Sequence, residues 1–148
     1  MTTVEIREAD EADIPDLLSA YREAGIDSAV SFTLDEARRQ FARFREYPSY
    51  RFFVARVEGA FAGTYALIIL DNLAKRGTKA GVVEDVAVLP AFQGRGVGRA
   101  MMEHARVECR AAGCYKMTLS SNIARESAHA FYDSLGFERH GYSFLVTP

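Results

Sequence analysis

Apolar positions along this chain switch between a period of two and a helical period, in an order that predicts a mixed set of strands and helices. Residues 4–7 alternate and predict a first strand. Ile14, Leu17, Leu18 and Tyr21 then recur at helical spacing. Asp10 is the candidate cap of that helix, with Asp13 three residues on, and Gly25 is its stop. Thr33 or Asp35 caps a second helix that turns Phe41 and Phe44 inward and Arg38, Arg39, Arg43 and Arg45 outward. The loop between the two, residues 26–32, is short and carries Asp27 and Ser28. Residues 51–57 and 60–70 predict a hairpin turned at Glu58-Gly59. Residues 71–81, with Asn72, Lys75, Arg76, Gly77 and Lys79, form a polar loop.

The next stretch organises the rest. Residues 82–89 are rich in β-branched side chains and predict a buried strand, which Pro90 stops. Gly94, Gly96 and Gly98 follow, and then Val97, Met101, Met102 and Ala105 open a helix over about 96–112, ended by Gly113. A strand that enters a glycine turn opening a helix presents free backbone N–H groups at the positive end of a helix dipole. That arrangement suits a phosphate or pyrophosphate. The spacing is not that of a P-loop, and the motif sits too late in the chain for a dinucleotide-binding unit, which needs further βα units beyond it. Residues 115–119 alternate as a strand, Ser120, Ser121 and Asn122 break it, and a helix over 125–135 carries Ala128, Phe131, Tyr132 and Leu135 on one face. Gly136 ends that helix, and residues 137–140 and 142–146 predict a last pair of strands. The order predicts one α/β domain over residues 1–148 with a mixed sheet.

Composition narrows the classes. A chain of 148 residues, 49% hydrophobic and 26% charged, suits one soluble globular domain. The net charge of −2 supplies no basic field for nucleic acid. Positive charge does gather after the glycines. Arg95 and Arg99 adjoin the proposed phosphate site, and Arg106 and Arg110 suit a solvated helix face. The N-terminal residues lack the apolar core of a secretory signal, and no apolar run approaches a membrane span. Cys109 and Cys114 suit small buried thiols in a reducing compartment, so the expectation is a cytoplasmic protein with no membrane partner. His104, His129 and His140 show no ligand spacing with the cysteines, and no metal is expected.

Two blocks carry a family resemblance: V-A-V-L-P-x-x-Q-G-R-G-V-G-R-A-M-M from Val86, and S-N-x-x-x-x-x-A-H-A-F-Y-D-S-L-G-F from Ser121. Together they resemble the acyl-CoA motif and the C-terminal motif of the GNAT family of N-acetyltransferases. The likeness covers nearly the whole chain in element order. It implies a mixed central sheet of six or seven strands with about four flanking helices, and acetyl-CoA as cosubstrate. It further implies that the backbone N–H groups of Gln93, Gly94, Arg95, Gly96, Val97, Gly98 and Arg99 hold the pyrophosphate. Val86, Ala87 and Val88 would pair with the pantetheine arm like an added strand, beside a gap opened by a bulge. The N–H of Val88 would polarise the thioester carbonyl. Asn122 and Ser127 would contact the cofactor, and Tyr132 would sit near the sulfur and protonate the leaving thiolate.

Acyl transfer to an amine also needs a base, because a primary amine is normally cationic at neutral pH. Glu84 is the first choice, directly or through water, and Asp85 the second. In an alternating strand they face opposite ways, so only one points into the site unless a bulge intervenes. The cysteines lie away from the glycines, which favours direct attack in a ternary complex over a cysteine intermediate. Residues 83–88, 113–119 and 131–137 are similar to glucosamine-6-phosphate N-acetyltransferases. Residues 119–132 are similar to aminoalkylphosphonate acetyltransferases. Both groups take small amines bearing phosphate or phosphonate, and a small-molecule amine is the expected acceptor. The stretch 123–127 departs from the sugar-phosphate enzymes, so their substrate is not carried over. Arg125, His140 and the Lys75-Arg76 loop offer themselves to an anionic group, Asp27 and Asp71 to a cationic one. A protein lysine or N-terminal acetyltransferase and a non-catalytic acyl-CoA-binding module are the alternatives. The apolar tail 142–146 permits a homodimer through C-terminal strands, as in many relatives, and a plain core strand explains it equally.

Overall fold

A computed structural model of the chain describes residues 2–27 and 32–148, so Ser28 lies outside the described residues. The chain divides into two compact units, Met1–Thr118 and Leu119–Pro148. In the first unit, strands β1 (Val4–Glu8), β2 (Tyr50–Val57), β3 (Ala60–Leu70), β4 (Ala80–Val88) and β5 (Met117–Thr118) form one sheet in that order. Its helices are α1 (Ile14–Glu23), α2 (Leu34–Arg43) and α3 (Val97–Ala111). Pairing is antiparallel from β1 to β4, and β5 returns parallel to β4 after α3. The sheet is therefore mixed.

Local chemistry sets the element ends. Asp10 and Asp13 form a capping box on a short 3-10 turn that leads into α1, and Thr33 and Glu36 form another on α2. Thr33 rather than Asp35 caps α2, because Glu36 stands at the position that returns the bond to the cap's own N–H. α1 and α3 end with the same pair of hydrogen bonds. At α1, Gly25 N–H donates to the Arg22 carbonyl and Ile26 N–H to that of Tyr21; at α3 the pairs are Gly113 to Arg110 and Cys114 to Cys109. β2 and β3 turn at Glu58-Gly59, both in the left-handed region that matches the twist of a two-residue hairpin.

Period-two alternation sends side chains to two faces. On one face Phe53 and Tyr65 meet His104 of α3, beside the buried Met101, Met102 and Ala105 of the same helix. On the other, Phe52 packs against Phe41 and Phe44, and α1 lies across β3 and β4. One charge is buried at the edge of this second layer. Asp13 is 2% exposed and receives Arg7 Nη1 and Nη2 at 2.6 and 2.8 Å, Arg56 Nη2 at 3.2 Å and the Asp10 N–H at 2.9 Å.

The second unit holds α4 (Glu126–Ser134). The expected last strand pair over residues 137–140 and 142–146 is not formed: among the described residues no strand follows Thr118. Among the described residues the sheet thus has five strands rather than six or seven, with four α-helices as expected. Tyr142 and Phe144 are 89% and 94% exposed. Apolar side chains suit a segment to a ladder, but a strand is held by hydrogen bonds to a neighbour, and among the described residues no strand pairs with this one. β5 is likewise shorter than the alternating run 115–119 that predicts it, because only Gly81 and Val82 pair with it.

Asp13 yields a prediction. Burial would raise its pKa, but hydrogen bonds from Arg7, the Asp10 N–H and Arg56 outweigh burial and lower it from 3.8 to about 2. A depressed carboxylate contributes stability that is present above the unfolded pKa and lost as pH falls towards the folded one. Between pH 5 and 2 the chain should lose about 2 kcal/mol from this group. Urea titrations at a series of pH values should show that loss in the native chain and lack it in Asp13→Asn. An equal acid slope in both would remove Asp13 as its source.

Candidate active site

The site is built on a fault in β4. Ala66 of β3 stands opposite Glu84, and Thr64 opposite Ala87, so Tyr65 alone faces both Asp85 and Val86. This is a β-bulge, and Asp85 takes the left-handed backbone (φ 51°) that the extra residue requires. The conformation costs a non-glycine residue about 1 kcal/mol, least for Asp and Asn, whose short polar side chains tolerate it. The bulge changes what the two carboxylates can do. Glu84 shares a cross-strand row with Ala66 and Phe52, the row that faces Phe41 and Phe44. Asp85 raises the pKa of both Tyr21 of α1 and Tyr50 of β2, and Glu84 also acts on Tyr50. Both carboxylates therefore act on phenols of the same face, which a regular strand does not allow.

Their electrostatics follow from this crowding. Burial, and then the neighbouring Asp85, push the Glu84 carboxyl above its ordinary range; burial does the same to Asp85. Tyr21 and Tyr50 are raised first by burial and then by Asp85, so both stay phenols at neutral pH. The upward shifts make each carboxylate a stronger base than a free one.

Past the bulge, the outer edge of β4 is open within this unit. β5 pairs only with Gly81 and Val82, leaving Val83 through Val88 without a strand neighbour on that side. The N–H of Leu89 donates to the Ala62 carbonyl at 2.9 Å, on the β3 side. By alternation the N–H and carbonyl of Val88 face the open edge. Gln93 Nε2 lies 3.4 Å from that carbonyl oxygen. Close approach of β3 supports the edge from behind: a Cβ on Gly63 would lie 2.7 Å from the Ala87 carbonyl oxygen and 3.3 Å from Met101 Cε.

A 3-10 turn over Pro90–Phe92 then leads through Gln93 to the glycines. Gly96 caps α3 with φ 82°, where any side chain would be strained, and it makes no side-chain cap bond. The Ala100 N–H closes the first helical bond, to the Gly96 carbonyl. The N–H groups of Val97, Gly98 and Arg99 thus precede the first intrahelical acceptor. A Cβ built on Gly94 or Gly96 meets nothing within 4 Å, so the space over the turn is open. Arg95 lies over the Phe92 ring at 5.2 Å, and Arg99 is exposed in the first turn of the helix. An uncapped helix start with open space above it and two guanidinium groups at its rim fits a pyrophosphate. The open strand edge leading to it fits an extended amide-bearing arm. The donor set therefore fits acetyl-CoA.

Within the second unit, Asn122, Ser127 and Tyr132 share one helix and its lead-in. Asn122 Oδ1 accepts the Ala124 N–H at 2.9 Å, and its carbonyl oxygen accepts the Arg125 N–H and lies 2.8 Å from His129 Nε2. His129 is thus a brace for the turn that starts α4. Tyr132 is half-buried between the rings of Phe131 (5.2 Å) and Phe137 (5.6 Å). Burial raises its pKa, with Arg125 pulling the other way, so the phenol keeps its proton at neutral pH. Ser127 is exposed in the first turn of α4.

Tyr21 and Tyr50 are the residues that sequence reasoning missed. Tyr21 reads as one more apolar position of α1, and Tyr50 precedes the alternating run. Only the fold brings them to the carboxylates. Of the other candidates, Asp71 is ion-paired with Lys79, and Lys75 lies over the Tyr115 ring at 6.0 Å. Cys109 and Cys114 are free thiols, and burial pushes Cys109 up to about 12, which makes it a poor nucleophile. Among the described residues no group of three or more His, Cys, Asp or Glu is placed to hold a metal ion. No helix among them is long and apolar enough to cross a membrane.

Comparison with known proteins agrees with this geometry. The family model described as "Acetyltransferase (GNAT) family" matches residues 15–137. The chain belongs to that family. It is similar to glucosamine 6-phosphate N-acetyltransferase of Trypanosoma brucei brucei, 34% identical over 88 residues, which are 60% of this chain and 58% of that protein. The match thus spans less than two thirds of the trypanosome protein. It is also similar to aminoalkylphosphonate N-acetyltransferase of Salmonella typhimurium, 34% identical over 64 residues, 43% of this chain and 42% of that one. Among solved structures, a putative acetyltransferase from Agrobacterium tumefaciens superposes with a TM-score of 0.89 at 32% identity. That likeness covers 97% of this chain and 99% of the other.

The close approach at Gly63 is testable. Gly63→Ala should force β4 away from β3 and lower stability by about 1–3 kcal/mol in urea denaturation. A midpoint unchanged from the native chain would mean that Ala87 can yield and that the contact does not set the edge.

Proposed function

We propose that this chain is an acetyl-CoA-dependent N-acetyltransferase that moves an acetyl group to the primary amine of a small molecule, by direct attack in a ternary complex. One observation carries the reading: a single strand bears two carboxylates on one face at a bulge, an open edge beyond them, and at its end an uncapped helix start. The relatives named above, which act on glucosamine 6-phosphate and aminoalkylphosphonates, support a small amine as acceptor. The two units act as one domain in this reading, in line with a family match that runs through both.

Acetyl-CoA supplies the activated acyl group and a thiolate that can leave. The chain supplies the rest. The amides of Gln93 to Arg99, with Arg95 and Arg99, hold the pyrophosphate, and the Val86 to Val88 edge takes the pantetheine arm. Asn122 and Ser127 complete the cofactor contacts. Glu84, with Asp85 beside it, takes the proton that an ammonium must lose before it can attack. The upward-shifted pKa of Glu84 makes that transfer less uphill than for an exposed carboxylate. The Val88 N–H, turned to the open edge, stabilises the negative charge that grows on the carbonyl oxygen. Tyr132, a phenol held protonated by burial, returns a proton to the sulfur.

The decisive measurements are simple. Acetyl-CoA should bind in calorimetry, and thiol release should appear with one or more members of a panel of small primary amines. Absence of acetyl-CoA binding would overturn the reading; turnover of peptides alone would move it to a protein acetyltransferase. Tyr132→Phe should lower kcat by about 10²-fold or more with little change in acetyl-CoA affinity. An unchanged rate would remove Tyr132 from the mechanism. The base makes a signed pH prediction. Activity should fall on the acid side as Glu84 protonates. Asp85→Asn should move that limb to lower pH, because it removes the charge that helps raise Glu84. A limb that stays in place would exclude Glu84 as the group that titrates.

A further inference from the structure

The residue that faces the bulge is itself tied to the helix that starts at the glycines. Tyr65 is fully buried, and its ring leaves β3 on the α3 face. There it stacks on Phe53 (5.1 Å between centroids, 16° between planes), and its Oη lies 2.6 Å from His104 Nδ1. His104 is seven positions past the first residue of α3, about 10 Å along the axis at 1.5 Å per residue. Its ring meets Phe53 edge-on at 4.9 Å, and its Nε2 lies 3.8 Å from Glu108 Oε1. Glu108 Oε2 receives Arg51 Nη2 at 2.8 Å, and the Arg51 guanidinium lies over the Phe53 ring at 5.1 Å. The circuit runs from β3 to α3, along one helical turn, to β2 and back to β3.

Its proton arrangement follows from its surroundings. Burial raises the Tyr65 phenol, and Glu108 adds to this, so Tyr65 is a donor. Burial lowers His104, against the pull of Glu108, so the ring is neutral and accepts at Nδ1 with its proton on Nε2 towards Glu108. No buried side-chain nitrogen or oxygen among the described residues lacks a partner. A hydrogen bond in such a place has a narrow geometry, and losing one member strands the other.

We infer that Tyr65 and His104 are positioning residues, which set the spacing between the bulged edge of β4 and the N-terminus of α3. This rests on the acetyl-CoA reading above for its functional consequence, since that ligand would engage the strand edge and the helix start at once. A ligand held at two points senses their separation. One held only at the helix start does not.

Two probes separate these cases: acetyl-CoA, and the 3′-phosphoadenosine diphosphate half of coenzyme A, which lacks the pantetheine arm. By calorimetry, Tyr65→Phe and His104→Leu should weaken acetyl-CoA about tenfold, the scale of one buried hydrogen bond, and leave the nucleotide half within about twofold. His104→Asn sets an amide oxygen near the place of Nδ1 and should restore acetyl-CoA affinity to within about threefold. A merely structural loss would weaken both ligands alike and would not be rescued. Equal affinities in Tyr65→Phe and the native chain, or parallel losses for the two ligands, would overturn the inference. Hydrogen exchange serves as a readout that needs no ligand. The amides of Ala87 and Leu89, which face β3, should exchange about tenfold faster in Tyr65→Phe, while those in the middle of α3 keep their rates. If the native chain takes up neither probe, the acetyl-CoA reading falls, and unchanged exchange at Ala87 and Leu89 would then overturn the positioning role as well.

Discussion

Two residues of β4 stand against one of β3, and the site depends on that count. In an unbroken ladder Glu84 and Asp85 leave the sheet on opposite faces. The extra residue brings Asp85 to act on both Tyr21 and Tyr50 beside Glu84, which acts on Tyr50, and it resets the phase of everything after it. Ala87 returns to the face of Glu84, three residues on rather than two. The Val88 N–H is then aimed at the open edge, and Gln93 reaches back to the carbonyl of the same residue. The fault is held from the other side by Tyr65, which cannot move without breaking a buried stack and a hydrogen bond.

Much of this was legible along the chain because it is local. The Asp10–Asp13 capping box, the hairpin turn and the glycine stops are short-range chemistry, and each falls where the spacing predicts it; at α2 the spacing offered Thr33 or Asp35, and Glu36 decides for Thr33. The strand, turn and helix from β4 into α3 were legible for the same reason. The bulge was foreseen from the family resemblance, and from the strand's own residues only as a condition, since a single strand's sequence carries no sign of how its neighbour counts against it. Asp85 is a residue type that tolerates the left-handed region, but nothing in V-E-D-V-A-V demands that it adopt it. The tail 142–146 erred in the other direction. Its apolar side chains suit a strand, yet a strand needs a neighbour: β1 has β2 to pair with, and no described strand pairs with the tail.

Polar groups in the interior were the least legible. Asp13 fills a capping role that its position predicts, but the same carboxylate also receives Arg56, which is 43 residues away. Arg51 and Glu108 are 57 residues apart, and Tyr65 and His104 are 39. Each of these residues passes alone for a strand position, a solvated charge or a helix-face histidine. Their meaning lies in pairs, and the pairs exist only after the sheet has set its rows and α3 has been laid across them.

The arrangement separates charge along one strand. At the bulge sit two carboxylates and two phenols, a setting that draws a cation. Beyond the strand's end sit uncapped amides and two guanidinium groups, a setting that draws an anion. Asp85 and Val88 are three positions apart, about 10 Å of extended chain. A ligand anionic at one end and carrying its acyl carbon at the other can therefore be laid along β4 in one direction only. The reversed orientation would bring its phosphates to Glu84 and Asp85. Like charges that close disfavour it by several kcal/mol in a partly buried site. Orientation then follows from the sequence of charges on a single strand and helix, and the fidelity of that order rests on keeping the strand and the helix at a fixed distance.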